Sequence, residues 1–428
     1  MKKSIYAIRI FSGERGRGRG MFVADSKGSA SIFLLMISAV MVILVFAYIA
    51  ATASITAAGY ADSLLNLAGR SVLSEYDRDL KDEYGLFSFR GDGEEIGDKV
   101  SYYVNYTLKN KNHLKMEELQ IDITEASLAN TDIFEEAVTE YAEYATARNI
   151  CREILDDDGE TGGEEGSPED GRDGVLRNET VIDSLPSKEL GKSSDLIRRV
   201  TEGLSSWKEV FESGSDKFLV DQYIFQQFKN AQNGEVKRKT FFRNEAEYIL
   251  MGDLSDKKNK KKFRDSVVLL RNAANYLFIF ADPVMHGELA AAAALITPGP
   301  EALLTQLLLA EAWALAEAEN DMRILEHGKK VPVYKTRTAW AVDLESIVKG
   351  TDVGYIDTGS ETGLNYQGYL RIFLFFQDRA VKLTRMMDLI QINMQGNYDR
   401  EFLIKDNNCG FDFEAVINGR KYHYKEKY

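Results

Sequence analysis

The chain has 428 residues, with 53 Lys+Arg against 67 Asp+Glu and a formal net charge of −14, a sign that argues against a general nucleic-acid binder. At 44% hydrophobic and 11% aromatic residues it is too apolar to be mostly disordered. Two cysteines and four scattered histidines (His113, His286, His327, His423) exclude a disulfide-dense scaffold and most zinc clusters.

Residues 1–27 hold seven Lys/Arg and only two acids, Glu14 and Asp25. Within them, Arg15-Gly16-Arg17-Gly18-Arg19-Gly20 is of the arginine–glycine type found in RNA binders. Beside an apolar helix it reads instead as a block of charge that stays inside. From Gly28 to Ala61, 34 residues carry no charge, and Ile32–Ala58 is mostly Ile, Leu, Val, Met, Phe and Ala. A helix of about 20 apolar residues spans a bilayer, so this segment is predicted to be transmembrane. The far flank, Asp62–Glu83, has three basic residues against six acids. Basic flanks stay on the cytoplasmic side, which predicts a cytoplasmic N-terminus and an extracellular C-terminal ectodomain in the cell membrane. The alternative is a secretory signal cleaved at Ala51-Thr52-Ala53, but the apolar run exceeds the ~7–15 residues of such signals. Leu289–Ile296 is also apolar, but it is short and is followed at once by Pro298 and Pro300.

Helical spacing continues past the membrane through Ala61, Leu64, Leu65, Ala68, Val72, Tyr76 and Leu80, which predicts one helix from about Ser29 to about Glu83, stopped by Gly85. Leu86–Phe89, Tyr102–Tyr106 and Leu119–Ile123 are strand candidates. Asp132–Leu155 returns to a helical pattern. Asp156–Gly174 is acidic and glycine-rich and is expected to be a mobile loop or linker. Later helix candidates are Ser194–Glu212, Phe218–Asn230, Glu245–Met251, Phe263–Phe280, Glu288–Ile296, Ala302–Glu326 and Tyr366–Met394. Val331–Asp343 and Val353–Thr358 read as extended. Phe411, Phe413, Ala415 and Ile417 alternate into Asn418-Gly419 ahead of Tyr422 and Tyr424, the pattern of a β-hairpin. The predicted class is therefore α+β and predominantly helical. Its expected segments are a basic cytoplasmic piece (1–27), a transmembrane helix (28–60), a stalk helix with a proximal α+β part (61–155), a linker (156–193) and a helical distal part ending in the hairpin (194–428).

The order of a basic start, Gly28-Ser29-Ala30-Ser31-Ile32-Phe33, one membrane helix and Tyr60–Phe87 (YADSLLNLAGRSVLSEYDRDLKDEYGLF) resembles the TadE/TadG-like proteins of the tight-adherence (Tad/Flp) pilus machinery. In particular it resembles a Gram-positive branch known only as a domain of unknown function. Phe241–Asp253, Trp313–Lys335 and Tyr366–Met394 are similar to blocks of that branch. The resemblance implies a membrane-anchored, outward-facing pilus-assembly or minor pseudopilin-like protein. Its partners would be the membrane and other pilus or secretion-system proteins. It also implies a leader-peptide cleavage site, with Gly28 the last leader residue and Ser29 the first mature one. Phe33 stands where a pilin-type chain often carries Glu, which argues against entry into a filament core and against processing, and Gly28 reads more simply as an ordinary interface residue. Independently of the resemblance, Ala50, Ala51, Ala53, Ala57 and Ala58 offer a small-residue face for self-association through the Ser29–Glu83 helix.

Other constellations carry less. Gly191-Lys192-Ser193 lacks the first glycine of a phosphate loop, because Pro186 stands there. Asp156, Asp158, Gly159 and Glu165 match four calcium-loop positions, but Ile154 occupies the first. Lys257–Arg264 is a basic cluster, read as a solvated loop leading into a helix. Glu311, Glu317, Glu319 and Asp321 are expected on the wet face of a helix whose apolar face is Leu307, Leu308, Leu315 and Ile324. The aromatic run Tyr369, Phe373, Phe375, Phe376 is expected in the core. Cys151 and Cys409 would both be extracellular, where a disulfide between them is permitted. No catalytic, cofactor-binding or metal-binding set emerges, and no small-molecule substrate is indicated. The predicted role is assembly rather than catalysis, the alternative being an anchored adhesin or wall-binding module without a filament role.

Overall fold

A computed structural model describes residues 27–109, 114–155, 174–190, 195–205, 215–232, 236, 238–351 and 353–428. The chain divides into two units, Met1–Ser63 and Leu64–Tyr428.

The first unit carries most of α1 (Lys27–Leu73), a helix with neither proline nor charge from Gly28 to Ala61. Two of its hydroxyls are turned back onto the helix: Ser38 donates to the Leu35 carbonyl at 2.9 Å and Thr52 to that of Tyr48 at 2.8 Å. Such bonds satisfy these two donors without water.

In the second unit the end of α1 buries Leu64, Leu65, Ala68 and Val72. The helix stops at Leu73 rather than running on to Glu83. The cause is Asp77, whose backbone is extended and whose side chain accepts the Leu80 N–H at 2.9 Å, capping a new helix, α2 (Arg78–Tyr84). The break lets Leu80 and Tyr84 turn into the core. Gly85 ends α2 in the left-handed conformation (φ +70°), as its position in the sequence predicts. A Cβ at Gly85 would lie 2.0 Å from the Tyr141 ring. Gly85→Ala is therefore expected to cost about 2 kcal/mol or more, combining left-handed strain with overpacking, measurable as a lowered melting temperature of the full chain in detergent.

After the short β1 (Phe89–Arg90) comes α3 (Gly93–Leu108). It absorbs Tyr102–Tyr106, expected as a strand. Asp92 accepts the N–H groups of Glu94 and Glu95, and Ile96, Val100, Val104 and Leu108 form a buried stripe at helical spacing. β2 (Met116–Asp122) follows, where a strand was expected. The other strands lie at the far end of the chain: β3 (Asn407–Asn408), β4 (Gly410–Ile417) and β5 (Arg420–Lys427). β4 and β5 form the predicted hairpin, with Asn418 and Gly419 both at positive φ (50° and 74°). β2 adds to its free edge in antiparallel register, Ile121 opposite Phe413, and β1 pairs with β3. The proximal and distal segments are thus stitched into one unit by strand pairing.

Between these strands lie the helices of the body: α4 (Thr131–Leu155), α5 (Glu179–Asp183), α6 (Leu196–Ser205), α7 (Ser215–Gln227), α8 (Glu245–Met251), α9 (Asp256–Ala281), α10 (Pro283–Ile296), α11 (Ala302–Glu326), α12 (Leu344–Lys349), α13 (Tyr366–Phe376) and α14 (Arg379–Asn397). Residues 174–190, within the stretch expected as linker, carry α5 and a 3-10 turn and bury Leu176 and Leu185. The Lys257–Arg264 cluster forms the first turns of α9 rather than a loop. Tyr366–Met394 splits into two helices because Asp378 caps α14, accepting the Val381 N–H at 3.2 Å. Phe134, Tyr223, Phe263, Phe373 and Met386 belong to the main core, where a fully buried side chain of this size contributes about 1.5–3 kcal/mol relative to exposure. A smaller core of Ile279, Met285, Leu289, Trp313 and Val342 joins the end of α9 to α10 and α11.

Candidate functional site

Along α1 the side chains from Ala30 to Ile55 have no protein cover. It is the one straight helix among the described residues long and apolar enough to cross a membrane. Gly28 and Ser29 fall in its first turn, and their side chains lie outside the described residues.

The second concentration of unusual chemistry is a set of fully buried charges between α9, α11 and the segment after it. Asp321 lies 3.1 Å from the Arg271 Nε and 2.7 Å from the Lys335 Nζ. Glu317, one helical turn earlier, pairs with Lys335 and accepts the backbone N–H groups of Ala341 at 3.0 Å and Val342 at 2.8 Å. Arg271 also donates to the Val333 carbonyl at 2.9 Å and to the Tyr369 hydroxyl at 3.3 Å, and Lys335 donates to the Ala339 carbonyl at 2.9 Å. Two carboxylates and two cations make the set neutral. Burial raises the Glu317 carboxyl above its ordinary range, against the opposing pull of Lys335. The groups are spent on one another and on backbone, so the arrangement fixes α9, α11 and the 331–342 segment in one register.

A second buried layer surrounds α8. Glu245 accepts the Lys229 N–H at 2.9 Å and the Asn393 amide at 2.7 Å. Glu247 accepts the Ala231 N–H at 3.1 Å and the Tyr366 hydroxyl at 2.7 Å. Tyr248 donates to Asp388 at 2.8 Å, and the other oxygen of that carboxylate accepts the Ser187 N–H at 3.0 Å. Burial pushes the carboxyls of Glu245 and Asp388 up, and that of Glu247 up to about 7. A third buried pair, Lys382 and Asp221 at 2.5 Å, borders a shallow cleft that also involves Glu135, Lys217 and Arg379.

The structure overturns the expected face of α11 in part, since Ile324 is buried and Glu311 exposed as expected. Glu317 and Asp321 are fully buried, whereas Leu307, Leu308 and Leu315 are exposed. The reason is close approach. Ala310, Ala314 and Ala318 recur every four residues, all fully buried, and let α9 pack tightly on that side. That face therefore holds small residues and the ion set, and the leucines are left outside. Of the other acids there, Glu319 takes Arg264 at 2.5 Å and Glu311 takes the Asn272 amide at 2.7 Å. Arg271, Lys335, Glu245, Glu247 and Asp388 were missed by sequence reasoning. The alanine repeat was the signal that could have exposed the first two.

Tyr369 and Phe373 are buried as expected, while Phe375 and Phe376 are half-buried. Cys409 is a free, half-buried thiol whose pKa burial pushes up to about 12; the side chain of Cys151 lies outside the described residues. Gly191-Lys192-Ser193, the calcium-like run from Asp156 to Glu165 and the Arg15–Gly20 tract also lie outside them. Among the described residues no group of three or more His, Cys, Asp or Glu is arranged to hold a metal ion.

Residues 173–419 match DUF5702, a family of unknown function; the match takes in both buried layers and begins beyond α1. No curated protein and no solved structure matches the chain.

Proposed function

We propose that this chain, which belongs to the DUF5702 family of unknown function, is a single-pass membrane protein with an outward ectodomain that acts in assembly, as a TadE/TadG-like component of a pilus or related secretion system. The observation that carries the anchoring is α1, whose apolar side chains from Ala30 to Ile55 are uncovered, whereas the second unit buries its own. Seven Lys/Arg in residues 1–27 support a cytoplasmic N-terminus. The likeness of Tyr60–Phe87 to TadE/TadG-like proteins supports the pilus reading. Phe33, in place of the filament glutamate, supports an assembly factor over a filament subunit.

The test begins with protein recovered from cell envelopes. We expect a mature N-terminus that retains residues 1–27, and an ectodomain digested by protease added outside intact protoplasts. A photo-crosslinker at Ala53 should then capture other single-pass envelope proteins. A start at Ser29 would mean prepilin-type processing and would replace the anchored assembly factor by a filament-entering subunit. A protected ectodomain would overturn the orientation, and an uncrosslinked Ala53 would reduce α1 to a plain anchor.

A further inference from the structure

We infer that the acidic stretch of this chain, residues 156–173, docks on the lysine cluster that opens α9. Lys257, Lys258, Lys260, Lys261 and Lys262 fill five of the six positions after Asp256, and all five are exposed. Lys258 and Lys262 share Asp253, at 3.9 and 2.9 Å, whereas Lys257, Lys260 and Lys261 have no ion-pair partner among the described residues. The placement works against the helix. A helix N-terminus carries partial positive charge and favours anions. Lys257 and Lys261 are also like charges one turn apart, as are Lys258 and Lys262, and such pairs repel. Anions laid over these turns relieve both effects.

The route of the chain selects the occupant. Residues 156–173 hold nine Asp and Glu against one base, Arg172. They end at Gly174, which is fixed to the start of α9. Its carbonyl accepts the Asp256 N–H at 3.0 Å, Val175 bridges Ser255, and the Leu176 N–H donates to the Leu254 carbonyl at 2.9 Å. Asp173 and Lys257 are thus the chain neighbours of Gly174 and Asp256, the two ends of one backbone hydrogen bond. Ten residues of extended chain reach about 33 Å, whereas two helical turns rise only ~11 Å. The acids from Glu164 to Asp173 therefore have the length to meet every lysine of the cluster.

Tethering decides between this stretch and an outside polyanion. A short tether holds its charges near the cluster at an effective concentration of order mM. A free polyanion must first approach a chain whose net charge is −14. Occupied in this way, the lysines are withheld from anionic surfaces, which have to displace the chain's own acids to reach them. The inference is independent of the pilus reading, because it concerns neither α1 nor residues 1–27.

The test is the acylation rate of individual lysines in the full chain in detergent micelles, read by mass spectrometry. We expect Lys257, Lys260 and Lys261 to react roughly fivefold faster once the nine acids of residues 156–173 are replaced by their amides, a factor within reach of a few exposed ion pairs. Salt at about 1 M, where the Debye length is ~3 Å, should bring the wild type to the same rate. That arm needs no variant, so it stands even if the amide chain fails to fold. Lys258 and Lys262 keep Asp253 throughout and should change less. A zero-length carbodiimide should join Lys257, Lys260 or Lys261 to carboxylates of residues 156–173 within one copy. Rates at these lysines unmoved by salt or by the amide replacement would overturn the inference. Cross-links that form only between isotopically different copies would also overturn it, and would make the contact one between chains.

Discussion

Replacing Asp321 with Leu is expected to lower the unfolding free energy by about 3–5 kcal/mol, the usual cost of removing one member of a buried ion pair. Asp321 is wholly buried and sits between Arg271 and Lys335. Without it, two buried cations share the single carboxylate of Glu317. Lys335 keeps that partner and the Ala339 carbonyl, so the uncompensated charge falls on Arg271. Its remaining acceptors, the Val333 carbonyl, the Tyr369 hydroxyl and the Asn275 side-chain oxygen, are neutral and cannot replace an anion 3.1 Å away. Adding Arg271→Met to Asp321→Leu should therefore recover more than half of the loss, since a buried pair exchanged whole for apolar side chains is often near neutral. Denaturant midpoints of the full chain in one detergent, at unchanged slope, read the effect. If the double variant loses the sum of the two single losses, Arg271 and Asp321 are not coupled and the network does not hold α9 to α11.

The same helices mark where sequence reading succeeds and where it stops. The bounds of α8 and α11, the Asn418-Gly419 hairpin and the Gly85 stop follow from local signals, because a cap, a turn dipeptide or a strict period decides them within a few residues. The uncharged run of α1 is legible for the same reason. What failed depended on partners distant in sequence. Asp77 breaks the stalk because the chain there also bonds to Ser88, its N–H donating to the Ser88 carbonyl at 2.7 Å. Tyr102–Tyr106 has strand composition, but Asp92 and the spacing of Ile96, Val100 and Val104 outweigh it. The face of α11 was partly misassigned because leucine outranks alanine in hydrophobicity, whereas close packing on α9 selects the smaller side chain and the ion set beside it. The buried layers themselves join α8 to α14 and α9 to residues 331–342, contacts that no spacing within one helix announces.

Stability is also expected to fall as pH rises from about 5 to about 8, with Glu247 supplying about 3 kcal/mol of the loss at full ionisation. Burial pushes this carboxyl from its ordinary 4.5 up to about 7; the Tyr366 hydroxyl and the Ala231 N–H pull the other way, and the charge of Asp256 adds to the rise. Below 4.5 both folded and unfolded chains hold the proton, and nothing is lost. Between 4.5 and about 7 the folded chain keeps the proton that the unfolded chain releases, so each rise in pH favours unfolding. Above about 7 both forms are ionised and the full penalty stands. Glu245, Asp388 and Glu317 are raised by burial in the same direction, so the wild-type profile should be steeper than one group gives. Glu247→Gln keeps an oxygen to accept from Tyr366 and Ala231 but cannot ionise. Its melting temperature should exceed that of the wild type at pH 8 and lose that margin at pH 5. Tyr366→Phe removes a bond that favours the charged form and should extend the wild-type decline to higher pH. Parallel profiles for the wild type and Glu247→Gln would show that Glu247 does not titrate in this window, and that the α8 layer tolerates its charge.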